Sequence, residues 1–282
     1  MGVIITPLPG AGAEISGIDL ALPVPDEDFV AIRKAYADHG VIFFRDQDIT
    51  EEQHIAFARR WAPININRFL GAHPQHPEIA VLRKERDQAE NIGGAWHTDQ
   101  SYDHAPAMGS ILVARELPPA GGNTLFASMY KAYDALSPAL KEKLAPLKAI
   151  HSAKRIFGKN ALYNKERGDR IGNEDVAEQL EDSVHPVVIT HPLSGKKALF
   201  VNIAYTTQII GWSEAETSAF VGEMFVHCTQ PQFVYEFEWR PGSIAFWDNR
   251  STWHYAKNDY HGHRREMHRI TLEGVPLEAG GA

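Results

Sequence analysis

His97 and Asp99 stand two residues apart in Trp96-His-Thr-Asp-Gln-Ser-Tyr102, and a third metal-type side chain, His254, follows far downstream in Trp247-Asp-Asn-Arg250-Ser-Thr-Trp-His254-Tyr255. Two imidazoles and one carboxylate can occupy one face of an iron(II) ion, leaving the opposite positions open for a cosubstrate and dioxygen. The same set with a bound water would also suit a zinc hydrolase. A His-x-Asp triplet alone carries little weight in a chain with 14 histidines, where its bland reading is a hydrogen-bonded surface pair. Context strengthens it. In an extended segment residues i and i+2 point to one side, and Trp96 and Tyr102 suggest a partly buried setting where an unpaired carboxylate would be costly. His254 by itself reads as a histidine satisfied by Asp248 or Asp259. The aromatic, strand-like run from Gly242 makes an inward-facing imidazole the alternative.

Arg265 and Arg269 share strand parity with Met267, while His268 and Ile270 fall on the opposite face. Two inward guanidinium groups require anionic partners, because an unpaired buried charge is unfavourable. A planar guanidinium grips a carboxylate bidentately. One arginine therefore suits the distal carboxylate of a dicarboxylic cosubstrate, and the other an anionic substrate.

Many short strands are expected to carry these residues. Strands are predicted at about 41–44, 79–82, 110–114, 123–126, 184–190, 198–202, 233–239, 243–247 and 268–272, from β-branched and aromatic enrichment between turn signals. Helices are predicted over residues 26–39, 50–61, 128–144 and 213–228. Capping boxes Thr50-Glu-Glu-Gln53 and Ser213-Glu-Ala-Glu216 open the second and fourth. The polar, glycine-containing stretch at 154–182 lacks clear periodicity and is a candidate lid. The pattern argues for one mainly β domain over residues 1–282, a sandwich or barrel with flanking helices.

Composition sets outer limits. With 282 residues the chain can bury a substantial core. A formal charge of −8 argues against a general nucleic-acid binder. The single cysteine, Cys228, excludes an intrachain disulfide. The start has no basic n-region, and no apolar run reaches the ~20 residues of a membrane helix, so a cytoplasmic protein without membrane partners is expected.

Taken together, the residues resemble the iron(II)- and 2-oxoglutarate-dependent dioxygenases that include taurine dioxygenase and 2,4-dichlorophenoxyacetate dioxygenase. The resemblance runs through Trp96-His-Thr-Asp99, Glu116-Leu-Pro-Pro-Ala-Gly-Gly-Asn-Thr-Leu125, His185-Pro-Val-Val188, Thr190-His-Pro-Leu-Ser-Gly-Lys196 and Ala198-Leu-Phe-Val-Asn202. It continues through Trp247-Asp-Asn-Arg250, His254-Tyr-Ala256, Asp259-Tyr260, Arg264-Arg265 and Met267-His-Arg269. It implies a double-stranded β-helix, the cupin-like jelly roll, with Fe(II), 2-oxoglutarate and O2 as cofactor and cosubstrates. By position it implies iron ligands at His97, Asp99 and His254, and binders of the 2-oxoglutarate distal carboxylate at Thr124 and Arg265. Arg269 falls where taurine dioxygenase holds a sulfonate, and Phe157 and Tyr205 fall at its aromatic pocket walls. The implied reaction hydroxylates a small anionic substrate, releasing succinate and CO2, in a homodimer or tetramer. The alternatives are the zinc hydrolase and a non-catalytic small-molecule-binding jelly roll.

Departures from that pattern concern the substrate. Asn67, Leu70 and Gly93 stand where taurine dioxygenase has a histidine, a tyrosine and an asparagine. With Phe69 and Gly94 they suggest a more apolar pocket, for a sulfonate, a sulfate ester or an aryloxy or alkyl carboxylate.

Overall fold

The computed structural model describes residues 2–161 and 174–280. Its largest sheet has eight strands. Ile4–Pro7, Ala13–Ser16, Val41–Phe44, Ile244–Asp248, Gly109–Glu116 and Arg265–Leu272 lie side by side, and both Ile64–Asn65 and Ala80–Lys84 pair with Arg265–Leu272. Val41–Phe44 runs parallel to Ala13–Ser16, because the helix Asp26–His39 carries the chain back between them. The other strand pairings among the described residues are antiparallel.

A second sheet, Val234–Phe237, Thr124–Ser128 and Thr252–Ala256, faces the first. The two-residue period of a strand divides the apolar side chains between two cores. Val41, Phe43, Leu112, Ala245, Trp247 and Met267 meet Phe126 and Phe237 between the sheets. Their neighbours Ile42, Phe44, Ile111, Val113, Phe246 and Ile270 instead lie under Ile32 and Tyr36 of Asp26–His39 and Phe57 of Glu51–Arg59. The outer face of the second sheet, with Ala127 and Trp253, is covered by Met129–Asp134 and the helix Glu214–Cys228. Two facing β layers with helices outside make the jelly roll expected from the sequence, with sheets that remain open.

Several elements match their sequence signals closely. Asp26–His39 ends at Gly40, whose φ of 75° is the left-handed cap that glycine allows. Both capping boxes form, at Thr50/Gln53 and Ser213/Glu216. Others divide. The helix predicted over 128–144 is two, Met129–Asp134 and Pro138–Leu144, because Ser137 caps a new start with proline at its first position. The predicted strand 184–190 becomes Ser183–Pro186 and Val188–Thr190, which join different sheets. Within the predicted lid, Lys154–Phe157 and Glu174–Gln179 are helical, so its described ends are not structureless. Residues 162–173 of it lie outside the described residues.

Candidate active site

The fold brings the two ligand-bearing segments together at a sheet edge. His97 forms an isolated antiparallel bridge with His254, its N–H donating to His254 O at 3.1 Å and its carbonyl accepting from His254 N at 2.8 Å. The rings lie 4.1 Å apart. Asp99 Oδ1 is 3.7 Å from His97 Nε2 and 3.9 Å from His254 Nε2, and one donor atom from each of the three falls within 4.8 Å of the others.

Hydrogen bonds prepare these donors. His97 Nδ1 lies 2.7 Å from Ala95 O, and a carbonyl only accepts, so the proton sits on Nδ1 and leaves the Nε2 lone pair free. Burial, then the neighbouring His97, hold the His254 imidazole neutral, well below the usual histidine range. Burial opposes charge on Asp99, but Arg269, His254, His97 and the Ser110 hydroxyl outweigh it and bring the carboxyl down to about 2. Ser110 Oγ donates to Asp99 Oδ2 at 2.9 Å, and Arg269 Nη1 donates to both carboxylate oxygens at 3.1 Å. An ionised carboxylate and two neutral imidazoles, converging in a buried corner, fit a divalent cation.

Above this corner opens a cavity lined by all ten side chains singled out in the sequence: Asn67, Leu70, His97, Asp99, Thr124, Phe157, Tyr205, His254, Arg265 and Arg269. Gly93 and Phe69 line it too. Arg265 and Arg269 project to the same side as Met267, while Ile270 joins the helix-side core, as strand parity requires.

Arg265 is buried between the rings of Trp239 and Tyr260, whose centroids lie 5.8 and 5.9 Å from its Cζ. Gly122 permits this approach, since a Cβ there would come within 3.2 Å of Arg265 Nε. Nε and Nη2 of Arg265 have no hydrogen-bond partner among the described residues. Burial lowers the guanidinium's pKa, with Tyr260 partly compensating. Thr124 Oγ1 accepts from Trp239 Nε1 at 2.9 Å, so its own proton is left to donate. A buried cationic fork lacking an anion, with a hydroxyl donor on the same cavity wall, fits a carboxylate.

Aromatic rings close the other side. Phe69 and Phe157 stack at 4.1 Å, and Tyr102 meets both edge-on and also touches Tyr205. Asn67 lines the cavity, but its Oδ1 accepts from Phe69 N and Leu70 N, so it shapes its own loop. Sequence reasoning had not assigned Ser110, Trp239, Tyr260 or Gln100 to the site. All are remote in sequence from their partners or carry no motif of their own.

A second donor cluster, Glu51, His73 and His268, is equally compact. There Arg115 Nε already donates to His268 Nδ1 at 3.2 Å, and its guanidinium lies 3.5 Å from Glu51. A resident cation makes this a structural network.

The family described as "Taurine catabolism dioxygenase TauD, TfdA family" matches residues 4–271. The α-ketoglutarate-dependent 2,4-dichlorophenoxyacetate dioxygenase of Cupriavidus pinatubonensis is 31% identical, over 96% of this chain and 98% of that protein. The α-ketoglutarate-dependent sulfate ester dioxygenase of Pseudomonas putida is 31% identical, over 96% and 89%. The crystal structure of a taurine dioxygenase from Burkholderia xenovorans superposes with a TM-score of 0.81 at 29% identity, covering 99% of this chain and 94% of that one.

Proposed function

This chain belongs to the taurine catabolism dioxygenase family (TauD, TfdA) and is a 2-oxoglutarate-dependent dioxygenase, and on that premise we propose its site roles and substrate class. His97, Asp99 and His254 hold iron(II), Thr124 and Arg265 hold the far carboxylate of 2-oxoglutarate, and Arg269 holds the anionic group of a small organic substrate. The observation that carries this reading is the His97/Asp99/His254 cluster in the same cavity as the unpartnered guanidinium of Arg265.

Bound iron(II) supplies the centre at which 2-oxoglutarate is decarboxylated and dioxygen reduced. The balance is substrate R–H, O2 and 2-oxoglutarate giving R–OH, succinate and CO2. The protein's own part is positional. Arg265 and Thr124 fix the direction of the cosubstrate from its distal end, converting a bimolecular encounter into an oriented one. Arg269 bridges metal site and substrate: Nη1 engages Asp99, and its Nε is buried without a partner among the described residues. The Phe69, Phe157, Tyr102 and Tyr205 rings exclude water and accept an apolar body.

The substrate class follows from this combination. An anion at Arg269 with an alkyl or aryl body against the rings describes a sulfonate, a sulfate ester or an aryloxy or alkyl carboxylate. The dichlorophenoxyacetate and sulfate ester dioxygenases are relatives named for substrates of that kind. Hydroxylation at a carbon bearing an ether or ester oxygen makes the product collapse, so cleavage is the expected outcome for those substrates.

The test is succinate release by Fe(II)-loaded protein with 2-oxoglutarate and oxygen across such a panel, with His97→Ala as the blank. Turnover stimulated by an organic anion and lost in the blank is expected. No 2-oxoglutarate consumption at demonstrated iron occupancy would overturn the assignment.

A further inference from the structure

Gln100 immediately follows Asp99 and adopts a φ of 51°, a left-handed conformation that glutamine rarely takes. Such strain persists where the surroundings over-determine it, and it clusters at functional sites. The side chain is 2% exposed, and the residue lines the same cavity as the metal-type cluster.

A chain of hydrogen bonds fixes which end of its amide is which. The Glu273 carboxylate accepts from Asn65 Nδ2 at 2.8 Å. Asn65 must therefore turn its Oδ1 the other way, where it accepts from Gln100 Nε2 at 3.0 Å. Both anchors are held by the sheet: Asn65 pairs with Thr271, and Glu273 directly follows the strand Arg265–Leu272. A flip of the Gln100 amide would set its oxygen against the Asn65 oxygen, so the relay forbids it. What remains is Gln100 Oε1, buried, restricted to accepting, and without a hydrogen-bond partner among the described residues. A buried acceptor left unsatisfied costs about 1–3 kcal/mol, a cost that a ligand carrying a donor removes.

We propose that Gln100 is a specificity-determining residue, presenting a fixed carbonyl oxygen that selects substrates bearing an O–H or N–H donor in addition to the anionic group. The substrate is thus a hydroxyl-, amino- or amide-bearing organic anion. This deepens the reading of the site given above and rests on it. The discrimination arises from one oriented acceptor: a donor-bearing substrate satisfies Oε1, and its apolar counterpart desolvates Oε1 without replacing the lost water.

The experiment uses Fe(II)-loaded enzyme and matched anion pairs that differ only in the donor, such as an alkyl sulfate and its hydroxylated analogue, with the corresponding carboxylates and sulfonates. The wild type should favour the donor-bearing member by about 10- to 100-fold in kcat/KM, with most of the difference in KM. Calorimetric titration of the anaerobic complex with each pair should give the same order of affinities. In Gln100→Leu the ratio within a pair should collapse towards one. Partial misfolding lowers both members of a pair together and leaves their ratio unchanged, so that ratio isolates the role of the amide. Equal kcat/KM within every pair for the wild type, or an undiminished ratio in Gln100→Leu, overturns the proposal while leaving the dioxygenase assignment standing. Failure of the wild type to consume 2-oxoglutarate with any pair overturns the parent reading, and this proposal with it.

Discussion

At the scale of single residues, the site is defined by polar atoms whose partners are missing. Arg265 and Arg269 carry comparable charge on one strand face, yet differ in what the protein gives them. Arg269 is bonded to Asp99, whereas Arg265 has two nitrogens unmatched between Trp239 and Tyr260. A charge-assisted hydrogen bond is worth about 1.5–3 kcal/mol. Replacing Arg265 by Gln should therefore raise the KM for 2-oxoglutarate by about 10- to 100-fold. Iron affinity should be nearly unchanged, because Arg265 does not contact the cluster. Steady-state succinate release against 2-oxoglutarate concentration, with a parallel metal titration, checks this. An unchanged KM would remove Arg265 from the cosubstrate site.

At the scale of elements, the turn between Ile244–Asp248 and Thr252–Ala256 holds the two ligand segments in register. Asp248 is fully buried, accepts from Arg250 Nε at 2.8 Å and Nη2 at 2.6 Å, and lies 2.9 Å from His191 Nε2. Burial opposes its charge, but Arg250 and His191 hold its carboxyl far below the ordinary range. The backbone N–H groups of Leu193 and Ser194 face His191 Nδ1, which puts the His191 proton on Nε2, toward Asp248. The next residue, Asn249, uses Oδ1 to accept from Trp247 Nε1 and Asp99 N, tying the turn to the Asp99 backbone. Asp248→Asn leaves the Arg250 charge buried and uncompensated, a change that costs about 3–5 kcal/mol. The midpoint of urea unfolding should fall accordingly, with metal affinity falling too as the turn loosens. A variant with wild-type stability would show that Arg250 finds another counter-charge.

At the scale of the whole molecule, buried neutral histidines set the response to acid. Burial first of all lowers His54 and His151 to about 3 and His185 to about 4, from an ordinary value of 6.5. Because the folded values are depressed, the unfolded chain takes up these protons first as pH falls. Their contribution is fully present above pH 6.5 and is lost progressively between there and pH 4 to 3. Each histidine contributes on the order of 1 kcal/mol per pH unit within that window. Urea midpoints measured between about pH 8 and about pH 4.5 should be insensitive to these groups at the upper end and decline below the histidine value. A flat profile down to the lower limit would mean that water or relaxation lets these imidazoles protonate in place.

The sequence by itself determined the local elements and the list of chemically suited residues. Caps are local chemistry, so Thr50/Gln53, Ser213/Glu216 and Gly40 marked helix ends correctly. Strand parity is local as well, so Arg265, Met267 and Arg269 could be assigned one face. Residue type and order brought ten candidates forward, all of which line one cavity. Tertiary structure decided what connects them. His97 meets His254 across a bridge spanning most of the chain, the Trp239 indole fills one side of the Thr124 hydroxyl, and Asn65 and Glu273 fix the Gln100 amide. The break of one predicted helix at Ser137–Pro138 was written locally and could have been read there. The division of residues 184–190 between two sheets could not, since it depends on which distant strands compete for those backbone groups. Hydrogen-bond orientation and burial are properties of pairs far apart in sequence, so only the folded chain specifies which polar atoms remain for a ligand.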